Sequence, residues 1–291
     1  MSFYVNRKTK ILIQGISGEK GFFHTDQMLK TGAQIVAGVS PGNGGDWVFD
    51  GKIPVFDTVD AAVDATGADA SLIFVPARNA LDAIMESIWA DIPIIFCITD
   101  GLPIQDVIRI KEVLKNNSIR LIGPGSPGMI TADNLYLGIV PAGISLKGSV
   151  GVVSRSGPMA YEIIFEMMQA NIGVSSFVGI GNEPIVGTDF IEILESFELD
   201  PATEKILLIG ESGTELEEKA AGYITEHITK PIIGYVAGKK ERIEYDLVKL
   251  KNENEHELGS DSVDIKIDTL KSAGVKIAAL PNDIPALLMS V

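Results

Sequence analysis

The chain has 291 residues, 46% of them hydrophobic, and a formal charge of −15. That is enough apolar material for two domains with full cores, and it excludes a disordered chain. The negative balance opposes non-specific nucleic-acid binding, which needs a basic face against phosphates; an anionic ligand must be held by backbone amides, helix dipoles and a few local cations.

The N-terminus is polar, so a secretory leader is not expected. The stretch from Ile11 to Gly21 then reads I-L-I-Q-G-I-S-G-E-K-G. Its apolar run suits a buried parallel strand. The three glycines Gly15, Gly18 and Gly21 allow a sharp turn and let backbone N–H groups approach a phosphate at a helix start. The spacing is G-x-x-G-x-x-G, whereas the dinucleotide fingerprint is G-x-G-x-x-G with an acidic residue roughly 20 positions later. The next apolar run, Gln34 to Val39, ends in Ser40-Pro41-Gly42-Asn43, with no carboxylate for a ribose. A nucleotide-like ligand other than NAD is expected, or else a structural turn with nothing bound.

Apolar runs alternate with helical patterns throughout, which predicts an α/β fold with parallel sheets. Strands are expected at Lys10–Gln14, Gln34–Val39, Ala70–Val75, Ile92–Ile98 and Ile119–Ile122. Helical patterns lie near Gly21–Lys30, Val59–Thr66, Asn79–Ala90 and Pro103–Asn116. Together they make a five-strand doubly wound domain, residues 1–128, with its ligand at the carboxyl ends of the strands. The single cysteine, Cys97, lies inside the run Ile94–Thr99 and reads as an inert core thiol. One cysteine excludes an internal disulfide framework and fits a reducing compartment.

Gly123-Pro124-Gly125-Ser126-Pro127-Gly128 marks a rigid junction. Residues 129–148 are expected to be an irregular linker, and residues 149–291 a second α/β domain. Its strands are expected at Val150–Val153, Val174–Gly179, Lys205–Gly210, Ile232–Tyr235 and Lys276–Leu280. Ser154-Arg155-Ser156-Gly157 precedes the helical pattern Pro158–Gln169, and proline suits a first helical position. The motif is either an anion site or a simple N-cap by Ser156. Glu211, at the carboxyl end of a strand, either orients a histidine or metal or caps a helix at Thr214–Thr225. Residues 239–261 are rich in charge and read in part as a solvated amphipathic helix. His256 sits there between Glu255 and Glu257 and reads as a surface histidine; His24 and His227 read as structural. No metal-ligand spacing or Ser-His-Asp pattern stands out, and no apolar run reaches membrane-spanning length. A cytoplasmic or organelle-matrix protein is expected.

Taken in order, Gln14–Gly21, Phe74-Val75-Pro76-Ala77, Ile98-Thr99-Asp100-Gly101, Ser154-Arg155-Ser156-Gly157, Gly179-Ile180-Gly181 and Gly210-Glu211 resemble the α subunit of the succinyl-CoA synthetase (succinate–CoA ligase) family. The resemblance runs from about Val5 to Gly238 and resumes from Gly259 to Ala286. It implies a Rossmann-like CoA-binding domain followed by a flavodoxin-like ligase domain, with a β-type ATP-grasp partner holding ATP or GTP and Mg. It also implies an ADP- or GDP-forming ligase acting on a small carboxylic acid through an acyl phosphate and a phosphohistidine. By similarity Ser17, Gly18, Glu19 and Lys20 hold CoA, with Asn43, Ile98, Thr99 and Asp100 on the same ligand. Ser154, Arg155, Ser156, Gly157 and Tyr161 face substrate or phosphate, and Glu211 supports the phosphohistidine.

The chain departs from the family pattern at specific positions. Asn43 stands where the family has lysine. Gly125 and Ser126 replace the Asn and Cys of G-P-N-C-P-G, and Pro158 replaces the Thr of S-R-S-G-T. The G-H-A-G-A phosphohistidine loop is absent between Gly238 and Gly259, where Lys251 falls opposite the catalytic position and His256 five residues later. The resemblance therefore leaves two readings, a ligase subunit with a rebuilt loop and displaced His256, or a non-catalytic CoA-binding paralogue that docks a β-type subunit without relaying phosphate.

Overall fold

The computed structural model describes residues 5–115, 117–238 and 260–291. The first half of the chain runs β1 (Lys10–Gln14), α1 (Glu19–Lys30), β2 (Gln34–Val39), β3 (Trp47–Val48), β4 (Ile53–Phe56), α2 (Val59–Thr66), β5 (Ala70–Ile73), α3 (Ala77–Trp89), β6 (Ile94–Cys97), α4 (Ile104–Leu114) and β7 (Arg120–Ile122). The sheet order is β3-β4-β2-β1-β5-β6-β7. Pairing is parallel from β4 to β7, and β3 lies antiparallel on β4. The expected five strands are present, with slightly shorter ends. Two further strands, β3 and β4, extend the sheet beyond these five. β3 has two residues, and β4 contains Pro54, which removes an amide donor and makes the stretch read as non-strand. Val55 and Phe56 nevertheless pair with Gly38 and Val39.

The second half runs β8 (Gly128–Ile130), β9 (Tyr136–Gly138), β10 (Lys147–Ser154), α5 (Gly157–Gln169), β11 (Val174–Gly179), α6 (Phe190–Leu199), β12 (Lys205–Glu211), α7 (Leu216–His227), β13 (Ile232–Ala237), α8 (Ser260–Ser272), β14 (Lys276–Ile277) and α9 (Ile284–Met289). The order is β14-β13-β12-β10-β11-β8-β9, with β8 and β9 antiparallel. This corrects the expectation of an irregular linker. Residues 128–138 form a hairpin that extends the second sheet, and Met129, Ile130, Leu135 and Leu137 are fully buried. Three-residue strands around a polar Thr-Ala-Asp-Asn turn show too little periodicity to be read as a hairpin.

The elements follow from local chemistry. Strand interiors are near-continuous apolar runs, as parallel strands covered on both faces require. Helix α2 starts on Thr58, whose hydroxyl accepts the Ala61 amide, and stops at Gly67 in the left-handed region. Helix α6 opens with a capping box: Asp189 accepts the Ile191 and Glu192 amides, and Glu192 accepts the Asp189 amide. Each such cap satisfies helix-end amides that have no acceptor within the helix. The two halves touch through Ser126 Oγ donating to Gly179 O at 2.6 Å, Lys111 Nζ to Val186 O at 2.9 Å and an Arg120–Glu192 ion pair at 3.0 Å. These contacts bring the carboxyl ends of both sheets to one cleft. Among the described residues no helix is long and apolar enough to cross a membrane.

Candidate functional site

The first part of the site is the turn after β1. Gln14 is pinned beneath the turn, its amide donating to Ser71 Oγ, Ala83 O and Ser87 Oγ. Gly15 has φ +83, a region that side chains rarely adopt. Gly21 packs so closely that a Cβ there would lie 2.2 Å from Gly15 O. Gly18 sits at the N-cap of α1 with no side-chain cap. The first amides of α1 therefore point into open space at the positive end of a helix dipole, an arrangement suited to phosphate.

That turn forms one wall of a cavity of about 620 Å³, lined by Gly18, Glu19, Lys20, Gly21, His24, Phe74, Val75, Pro76, Ala77, Ile98, Thr99, Asp100 and Ile139. One end offers amides and the Lys20 ammonium; the rest is mainly apolar. Thr99 Oγ1 is anchored on Val75 O at 2.6 Å. His24 stacks on Phe74, with ring centroids 5.8 Å apart. Burial, with Lys20 nearby, lowers its pKa below the ordinary histidine value.

A second cavity of about 390 Å³ adjoins the first, and Ile98, Asp100 and Ile139 line both. Its other walls are Gly125, Ser126, Pro127, Arg155, Ser156, Gly157, Pro158, Tyr161, Asn182 and Glu211. Ser154 Oγ accepts the Ser156 amide and donates to Ser156 O, closing the β10–α5 turn. Ser156 makes no side-chain cap, which corrects the N-cap reading: the hydroxyl that fixes this helix start belongs to Ser154. Arg155 is 2% exposed and donates to Glu211 O, Ser212 O and Asn182 O at 3.0–3.3 Å. Its Nε and the Tyr161 hydroxyl are buried without a partner. Burial pushes the Tyr161 phenol above its ordinary range, so it stays neutral. Glu211 is half-buried at the end of β12 and does not cap α7, whose first turn carries Glu217 and Glu218.

The structure thus gathers Gly18, Glu19, Lys20, Ile98, Thr99 and Asp100 at the first cavity, and Arg155, Ser156, Gly157, Tyr161 and Glu211 at the second. Ser154 lies beneath the latter group. Ser17 and Asn43 are exposed and line neither cavity. Asn43 donates to Ser40 Oγ, and the Gly42 and Gly44 amides are taken by the Asp57 carboxylate. His256 and Lys251 lie outside the described residues. His227 stacks on Tyr223 at the exposed end of α7. Cys97 is buried, its pKa raised to about 12 by desolvation. Read as structural, His24 instead lines the first cavity. It lies three positions after Gly21, on the same helix face, which is the signal that could have found it. Phe74 belongs to the Phe74-Val75-Pro76-Ala77 stretch at the end of β5, whereas Ile139 and Asn182 carried no signal of their own, because tertiary contacts place them.

Two α/β domains, one with a phosphate-type turn after its first strand, meet at a cleft floored by Arg155. Residues 6–101 match the family model described as CoA binding domain, and residues 147–247 the one described as succinyl-CoA ligase like flavodoxin domain. The chain is 42% identical over 293 residues to the succinate–CoA ligase [ADP-forming] subunit alpha of Staphylococcus aureus (strain Mu50), covering 99% of this chain and 94% of that one. The corresponding subunit of Staphylococcus epidermidis (strain ATCC 12228) is 41% identical with the same coverage. The chain belongs to the succinate–CoA ligase alpha-subunit family. Among solved structures, ATP citrate lyase from Methanothrix soehngenii, in complex with citrate and coenzyme A, superimposes with TM-score 0.82 at 23% identity. This chain is 99% covered and spans about half of that one, 51%. The dinucleotide-forming acetyl-coenzyme A synthetase 1 of Ca. Korarchaeum cryptofilum matches 94% of this chain and 59% of its own, with TM-score 0.75 at 21% identity. These two likenesses concern the fold.

Proposed function

We propose that this chain is the CoA- and acid-binding subunit of an NDP-forming acid–CoA ligase, working with a β-type ATP-grasp partner that holds ATP or GTP with Mg. The observation that carries the reading is the pair of cavities sharing Ile98, Asp100 and Ile139. A ligase needs a thiol and an activated acyl group to meet, and two adjoining pockets provide for that within one chain.

The residues present fit CoA. The α1 amides and Lys20 suit its diphosphate, and Phe74, Val75, Pro76 and Ile98 suit its mixed pantetheine arm. When bound, CoA supplies the thiol nucleophile. Ile98, Asp100 and Ile139 stand where the two cavities adjoin, with Thr99 on the first-cavity side. In the second cavity Arg155 compensates charge near a carboxylate or acyl phosphate, while Gly157 and the α5 dipole face the same space. Tyr161 offers a neutral hydroxyl.

One observation favours the second reading, a CoA-binding paralogue that docks a partner without relaying phosphate. Pro158 occupies the first turn of α5 and takes one amide donor from the anion site. The test is acyl-CoA formation by the purified chain with radiolabelled ATP, CoA and a panel of small acids, with and without a β-type subunit. Turnover that requires the partner supports the ligase reading. CoA binding without turnover under all conditions overturns it in favour of the paralogue.

A further inference from the structure

Behind the second cavity lies a charge cluster with no part in the chemistry described so far. Glu217 on α7 and Lys266 on α8 are both fully buried, and their side chains meet at 2.8 Å. Lys266 also bonds Glu218 at 2.7 Å and donates to Thr214 O. Glu217 uses its other oxygen, Oε1, to accept the backbone amide of Glu211 at 2.8 Å, and Arg155 Nη1 lies 3.8 Å from that oxygen. The glycine at 210 makes room for this approach, since a Cβ there would sit 2.7 Å from Glu217 Cγ.

Burying such a cluster is a poor route to stability, because well-packed apolar residues in its place are often neutral or stabilising. What the cluster does geometrically is specific. One carboxylate oxygen is pinned by Lys266 and the other holds the backbone of Glu211, while Arg155 ties the carbonyls of Glu211, Ser212 and Asn182. We propose that Lys266 is a positioning residue: acting through Glu217, it fixes the Glu211 backbone and the Arg155 guanidinium at the floor of the acid cavity. The α8 helix thereby sets the geometry of a site it does not line. The inference rests on the ligase reading for the role of Glu211, and its geometric core is measurable without turnover.

The experiment is amide hydrogen exchange by NMR on the full chain, comparing wild type, Lys266→Met and Lys266→Arg. The Glu211 amide in Lys266→Met should exchange at least tenfold faster, while Leu207 and Leu208 in the same strand keep their protection; Lys266→Arg should restore most of it. If Lys266→Met does not fold, the charge-balanced Lys266→Met/Glu218→Gln variant takes its place with the same expectation. An unchanged Glu211 amide overturns the proposal. So does loss of protection spread evenly along β12, which marks a merely structural role. In the ligation assay with partner, turnover should fall at least tenfold with CoA affinity within twofold of wild type. Equal turnover in active wild type and folded variant counts against positioning, whereas inactivity of wild type itself strikes the ligase reading and leaves the exchange result standing.

Discussion

The backbone amide of Gly101 donates to Glu183 Oε1 at 2.6 Å. Gly101 lies in the loop between β6 and α4, and Glu183 belongs to the loop after β11, so the bond ties the two domains at the junction of their cavities. The residues just ahead of it, Ile98 and Asp100, line both pockets. A hydrogen bond to a charged group contributes roughly 1.5–3 kcal/mol when buried, and the half-exposed setting of Glu183 discounts that. Glu183→Ala should therefore weaken CoA binding about three- to tenfold, while Glu183→Gln, which keeps an acceptor, should stay near wild type. Titration calorimetry giving the same affinity for Glu183→Ala as for wild type would remove this loop from the binding apparatus.

Gly18 lines the first cavity where α1 begins. Its backbone, φ −78 and ψ 154, suits any residue, so a side chain there acts through the space it fills. A Cβ would lie 3.3 Å from Gly15 O, and the valine methyl groups would stand in front of the α1 amides. Gly18→Val should weaken CoA binding by at least tenfold, about 1.4 kcal/mol, with an unchanged circular dichroism spectrum. Calorimetry showing equal affinity would reject the turn as the CoA site.

The parallel strands and the phosphate-type turn were legible because their signals are local. Ile11, Leu12 and Ile13 are an uninterrupted apolar run, and Gly15, Gly18 and Gly21 carry the turn in their spacing. The hairpin at 128–138 was not legible, because its strands are too short to show a period and form by pairing with β11. Helix α6 carries a local sequence signal of its own, the D-x-x-E box at Asp189 and Glu192. The charge pairs of the second cavity depend on distance through space. Nothing in the chain between Arg155, Glu217 and Lys266 announces that they meet, and Asn43, assigned to the CoA site through resemblance alone, sits in a loop whose Gly42 and Gly44 amides are held by Asp57.

His24 makes stability pH-dependent in a defined direction. Burial and Lys20 hold its folded-state pKa below the ordinary value, about 6.5 in the unfolded chain. As pH falls through that value the unfolded chain takes up the proton first, so the folded state loses stability below about pH 6.5, down through the folded pKa. His24→Asn should flatten this slope. Denaturant midpoints of both proteins at pH 7 and pH 5 measure it, and identical slopes would show that the imidazole titrates alike in both states.

The Tyr161 hydroxyl is buried and unpartnered. A buried polar group without a partner costs about 1–3 kcal/mol, so Tyr161→Phe should leave stability unchanged or raise it by about 1 kcal/mol. The same substitution should lower acid-dependent acyl-CoA formation, because the hydroxyl would gain its partner from the bound acid. Thermal melts and initial rates separate the two effects. A variant that melts earlier and turns over normally would mean that the hydroxyl supports the fold and nothing else.

The chain should not form a stable phosphohistidine by the family's usual route. Phosphoryl transfer to a ring nitrogen needs the attacking atom roughly 3–3.5 Å from phosphorus and donors around the transferred oxygens. A glycine-flanked histidine lets the backbone come that close; here the corresponding stretch carries lysine, glutamate and asparagine. His256 is flanked in the sequence by Glu255 and Glu257, whose charges repel an incoming phosphate. Pro158, in the first turn of α5, also removes an amide donor from the second cavity. Each handicap alone could be offset, but they act on the same step and in the same direction. After incubation with labelled ATP and a β-type partner, the chain should therefore carry no acid-labile, base-stable label, even under conditions where acyl-CoA is made. Label that appears on wild type and disappears in His256→Ala would reverse this conclusion and restore a displaced-histidine relay.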